Sequence, residues 1–173
     1  MNAFPDDNGR ARSLLRGSRR PRCLLGITVF LVATSLAGDG PHAQQEVRLA
    51  VIVHPRVPAS SLNAAELASL FIRATRTWKD GTPVRPLNLP PSSAERIEFD
   101  RVVLNMSPDR SAQYWIDRQV RGEEPAPKAI TKAGIIAHLV PTLAGSIGYI
   151  PEDMVDAKVR VIARIRGGKV IAP

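Results

Sequence analysis

The sequence predicts one α/β domain, a mixed sheet flanked by helices. Three observations carry this expectation. Val51-Ile52-Val53 is apolar on both faces, as a strand inside an α/β sheet is. Strand-like stretches then alternate along the chain with capped helix starts. No internal repeat, linker or shift of composition divides the chain after residue 43. The expected organisation is therefore an export signal over residues 1–43 and one α/β domain over residues 44–173.

The export signal rests on an uncharged apolar run of 14 residues, Leu24 to Ala37. Six arginines precede it, from Arg10 to Arg22, and Ser35-Leu36-Ala37 closes it with small residues. That is a charged region, an apolar region and a cleavage-type end. The run is short for a membrane span, which takes about 20 residues; an uncleaved anchor is the competing reading. Cleavage fits after Ala37 or after Ala43. The expected location is the periplasm. Cys23 is the sole cysteine and precedes the apolar run, so the expected mature domain has no disulfide, no cysteine metal site and no cysteine nucleophile. From Gln44 onward the chain holds 18 Lys+Arg and 13 Asp+Glu, a net charge of +5. This moderate, scattered charge suits anionic ligands better than nucleic acid, since aromatics do not interleave with the basic residues.

The elements follow in order. Val47 to Val53 is a strand, ended by Pro55 and Pro58, which cannot continue a ladder. Asn63 and Glu66 stand three apart, the spacing of a capping box, and Leu62 and Leu67 that of a hydrophobic staple. Leu67, Leu70 and Phe71 form the buried stripe of that helix. Asp80-Gly81 makes a tight turn into a second strand, Pro83 to Leu89, whose prolines suggest an edge or a bulge. Pro90-Pro91-Ser92-Ser93 leads into a helix from Ala94 to about Leu104. Ser107-Pro108-Asp109 opens the next helix, through Tyr114, Trp115, Ile116 and Val120, and Gly122 closes it. Thr131 is the expected cap of a helix with Ile135, Ile136, Leu139 and Val140 inward. Gly145 to Ile150 is a short strand. Lys158 to Arg166 alternates, with Val159, Val161, Ala163 and Ile165 on one face and arginines on the other, as near a sheet edge. Glu152, Asp153 and Asp156 read as a solvated acidic turn, and Tyr114 and Trp115 as core or boundary aromatics.

Four segments, in order, resemble the type II periplasmic-binding-protein family, in particular the phosphate-transporter solute-binding proteins. They are Val51-Ile52-Val53-His54-Pro55, Leu67 to Ile72, Thr77-Trp78-Lys79-Asp80-Gly81, and Gly145-Ser146-Ile147-Gly148-Tyr149-Ile150-Pro151. Tyr114-Trp115 followed by Gly122 fits as well. The resemblance implies one lobe of a two-lobed clamshell, binding of a phosphate-like anion, and an ABC transporter permease as partner. It implies an anion site at Ser92-Ser93-Ala94, where the family has a Ser-Gly-Thr turn; the glycine is absent here. Arg73 likewise stands where the family has glycine.

The residues give the same candidates on their own terms. Ser92 and Ser93 precede a helix, whose free amides and dipole favour an anion; the competing reading is simple capping, worth about 1 kcal/mol. His54 and Arg56 follow a strand's carboxyl end, the usual docking edge of open α/β sheets, and an arginine there suits an oxyanion. Arg96 lies one turn into the Ser92-Ser93 helix. The histidines lack neighbours at metal-ligand spacing, and no nucleophile motif appears, so neither metal, cofactor nor catalysis is expected. The expected function is non-enzymatic capture of a small anion, phosphate first. The alternatives are an accessory or sensory envelope module that binds a partner protein and no solute, and a hydrolase. Membrane contact is expected only through a partner.

Overall fold

The computed structural model describes residues 46–173; the expected export signal, Cys23 and His42 lie outside them. Six strands form one sheet in the order β3-β2-β4-β1-β5-β6. They are β1 (Leu49–Val53), β2 (Arg85–Asn88), β3 (Lys128–Ala129), β4 (Ser146–Pro151), β5 (Arg160–Arg166) and β6 (Lys169–Ile171). The helices are α1 (Ala64–Phe71), α2 (Ala94–Phe99), α3 (Pro108–Val120) and α4 (Ala133–Leu139). A π-helical turn, Asp100–Leu104, extends α2. Among the described residues no helix is long and apolar enough to cross a membrane.

β2 runs parallel to both β3 and β4. β1 runs antiparallel to β4 and β5, and β5 antiparallel to β6. All five residues of β1 are buried, as the apolar run predicts for a strand with neighbours on both sides. The capping box of α1 forms as its spacing predicts. Glu66 N–H donates to Asn63 Oδ1 at 3.0 Å, and Asn63 N–H donates to Glu66 Oε2 at 2.8 Å. Leu67, Leu70 and Phe71 are buried. Phe71, Phe99 and Tyr149 join α1, α2 and β4 in one aromatic cluster, with ring centroids 4.1 Å apart for the stacked Phe99–Tyr149 pair and 4.5 Å for Phe71–Phe99.

The structure corrects several expectations. β2 is not an edge strand: β3 pairs with it at Leu87 and Asn88. Pro86 is tolerated because Arg85 N–H bonds Gly145 O, which turns position 86 toward the β3 side, one residue before that pairing begins. Lys132, not Thr131, precedes α4, and Ile135 is 42% exposed while Ile136 and Val140 are buried. In β5, Ala163 pairs with Val51 and Val161 with Ile52, so Ile162 is an inserted residue. That bulge breaks the alternation and buries Ile162 beside Ala163. Glu152 is not solvated. Its carboxylate receives Arg164 Nη1 at 2.8 Å and Arg166 Nε at 2.7 Å. Tyr114 and Trp115 agree with their reading as boundary aromatics: both are half-buried and edge-to-face at 5.1 Å.

Candidate functional site

The three parallel strands fix which end of the sheet a ligand meets. β2, β3 and β4 all finish on one side, at Asn88, Ala129 and Pro151. In open α/β sheets the crevice beyond the carboxyl ends of parallel strands is the usual binding position. The chain leaves β2 there and turns through Leu89–Ser93 into α2.

That turn is held from below. Tyr149, fully buried in β4, donates its hydroxyl to Asn88 Oδ1, and Leu89 N–H reaches the same oxygen at 3.2 Å. Burial pushes the Tyr149 phenol far above its ordinary range, so the hydroxyl stays a protonated donor. Ser93 N–H closes the turn onto Pro90 O at 3.0 Å. Ser93 then caps α2: Arg96 N–H donates to its hydroxyl at 3.1 Å, and Ile97 N–H to its carbonyl at 3.0 Å. The first amides of a helix have no intrahelical acceptor. With Arg96 and Ile97 satisfied, those of Ala94 and Glu95 are left for an outside acceptor. Ser92 is exposed beside them and Ser93 half-buried. α4 opens from the same side, four residues after β3, with the exposed Lys132 at its cap position. Lys132 is a candidate cation at this end of the sheet that motif reading passed over, because the two-residue β3 that leads to it forms only by pairing with β2.

Arg96 does not join this surface. Its side chain turns inward, 6% exposed. Nε lies 2.8 Å from each Asp100 carboxylate oxygen, Nη1 donates to Leu89 O at 3.3 Å, and Nη2 to Ser111 Oγ at 3.2 Å. The signal for this was present: Arg96 and Asp100 stand one helical turn apart.

His54 and Arg56 lie at the opposite end of the sheet. β1 is antiparallel to β4, so its carboxyl end meets the start of β4, where His54 N–H donates to Ser146 O at 3.1 Å. The strand-end argument therefore points to Ser92 and Ser93 and away from His54 and Arg56. These two line a separate cavity of about 190 Å³ with Asp80, Thr82 and Gly145. Arg56 N–H donates to His54 Nδ1 at 3.2 Å, which occupies one imidazole nitrogen locally. The Thr82 backbone amide holds the Asp80 carboxyl below its ordinary range, so a fixed negative charge faces any anion entering this cavity.

No family profile matches the chain, and no curated protein matches it. Solved structures do resemble it. A protein of Clostridium perfringens assigned as a phosphate ABC transporter substrate-binding protein, with bound phosphate, aligns at TM-score 0.54 and 20% identity over 67% of this chain and 45% of its own. An ABC-type phosphate transport receptor from Vibrio cholerae aligns at TM-score 0.54 and 17% identity, over 68% and 46%. PstS from Borrelia burgdorferi gives 0.53 and 16%, over 68% and 47%. The chain thus spans under half the length of each of these neighbours. At these identities the likeness is one of fold: a single lobe of type II periplasmic-binding-protein architecture.

Proposed function

We propose that this protein is an exported, single-lobe solute-binding protein that holds a small oxyanion, phosphate first, without chemical turnover. The observation that carries the reading is the exposed helix start at Ser92-Ser93, with the Ala94 and Glu95 amides unclaimed by the helix, at the carboxyl end of the parallel strands. The fold is shared with proteins whose solved structures are described as phosphate-binding or phosphate-transporting, which supports an anion as the ligand. In this reading Ser92 supplies a hydroxyl, Ser93 and the two amides line the anion, and Lys132 adds charge. Arg96, committed to Asp100, contributes position rather than contact. A periplasmic domain of this kind meets the membrane only through a partner, an ABC transporter permease in the first instance.

The alternative is an accessory module that binds an envelope sensor and no solute. The Ser93 hydroxyl, already taken up in capping α2, favours it. Calorimetry on residues 44–173 with phosphate, sulfate and citrate separates the two. Saturable heat with phosphate, lost in Ser93→Asp, is the expected result. Aspartate retains the cap, so α2 stays formed while its charge repels the anion. Absence of heat with all three anions overturns the capture reading. Export is tested by the mass of the protein recovered from the periplasm: a chain beginning after Ala37 or Ala43 is expected, and an unprocessed chain refutes it.

A further inference from the structure

A second cavity is separate from the one lined by His54 and Arg56. It holds about 300 Å³ between the 58–62 loop, α1 and the 75–79 segment. Five hydroxyl-bearing residues line it, Ser60, Ser61, Ser69, Thr75 and Thr77, all but Ser69 exposed to solvent. Ser69 donates to Ala65 O at 3.0 Å within α1; among the described residues no protein hydrogen bond occupies the other four hydroxyls. Leu70 and Trp78, both buried, supply an apolar floor. The indole is fixed in place because Trp78 Nε1–H donates to Gly145 O at 2.9 Å. Glu66 and Lys79 stand at the rim with opposite charges. One Glu66 oxygen is held by Asn63 N–H at 2.8 Å, so the carboxylate is anchored with its other oxygen free to accept.

We infer that this cavity binds a small neutral polyol of monosaccharide size. Hydroxyl side chains both donate and accept, and so do the hydroxyls of such a ligand. A ring with an apolar C–H face matches a floor of indole and leucine. The paired rim charges leave the lining without net charge: an anion would meet Glu66, and a cation would meet Lys79. A lining without net charge favours a neutral occupant over phosphate, unlike the proposed oxyanion site. The volume lies at the lower bound of small-molecule sites, about 300–1,000 Å³, which limits the ligand to a single ring. The inference does not rest on the oxyanion reading.

The chain has two tryptophans, so Trp115→Phe leaves Trp78 as the sole indole. In that background, glucose, myo-inositol and glycerol are titrated while Trp78 emission is followed. Saturable change with glucose or inositol, at a Kd of about 10 mM or tighter, is expected. The Ser61→Ala/Thr75→Val variant should weaken it at least about tenfold, and Ser93→Asp should leave it unchanged. Thr77→Val provides a second test of the hydroxyl walls, and far-UV circular dichroism confirms that each variant is folded. No saturable response to any of the three polyols overturns the proposal, as does binding that neither hydroxyl variant alters.

Discussion

Arg96 and Asp100 form a buried ion pair across one helical turn, with 8% and 4% of their side chains exposed. The guanidinium also reaches Leu89 O and Ser111 Oγ, so one side chain ties the end of β2 to α2 and α3. Removing one partner of such a pair leaves an uncompensated buried charge, whereas replacing both with apolar groups does not. Asp100→Ala should therefore lose about 3–5 kcal/mol in urea denaturation, and Arg96→Met/Asp100→Leu should recover most of it. Phosphate heat should survive in the double variant, because the guanidinium faces the interior. Equal urea midpoints for the single and double variants would show that the pair does not hold this corner.

Arg73 has a left-handed backbone, φ 62°, immediately after the end of α1, and its Nε pairs with Glu124 Oε2. Glu124 also forms an ion pair with Arg76 Nη1 at 3.2 Å, which anchors the proline-broken loop after α3. A residue with a Cβ is disfavoured in this conformation and glycine is not. Arg73→Ala keeps the unfavourable backbone and drops the ion pair, so it should lower the melting temperature. Arg73→Gly should be more stable than Arg73→Ala by about 1 kcal/mol. If alanine and glycine variants melt together, the positive φ carries no cost.

Much of the fold was legible because local chemistry and burial agreed. Asn63 and Glu66 predict the start of α1 by reciprocal bonding, and Val51-Ile52-Val53 predicts a strand with neighbours on both sides; both readings hold. What escaped was set by distant parts of the chain. β3 is two exposed residues that form a strand only by pairing with β2. Glu152 looks solvated until the bulge at Ile162 and the turn of β5 bring Arg164 and Arg166 onto it. The candidate site divided for the same reason. Ser92 and Ser93 are local to a cap and were readable. That His54 and Arg56 lie at the other end depends on β1 running against β4, which no local pattern encodes.

Gly148 lies in β4 under α4, and a Cβ added there would sit 2.6 Å from Ile136 Cγ2. Both positions are in the core, so neither can move away cheaply. Gly148→Ala should cost about 1–3 kcal/mol through overpacking. Ile136→Ala alone removes a fully buried side chain and should cost about 2–5 kcal/mol. Combined, the two should cost clearly less than their sum, because the new methyl enters the vacated space. Strict additivity in a double-mutant cycle would show that the helix does not rest on the glycine.

Acid stability should register the Glu152 clamp. Burial alone would raise the Glu152 carboxyl, but hydrogen bonds from Arg166 and Arg164, with their positive charges, outweigh it and bring it below its ordinary value of 4.5. A carboxyl with a depressed folded value binds fewer protons in the folded chain than in the unfolded one. Its contribution is thus present in full above the unfolded value and disappears as pH falls through the folded one. In urea titrations at successive pH values, wild type should lose stability on descending below about 4.5, and Glu152→Gln should lose less over that range while being less stable at neutral pH. Parallel acid limbs for the two proteins would mean that the carboxylate titrates as though free, and that Arg164 and Arg166 do not clamp it to β5.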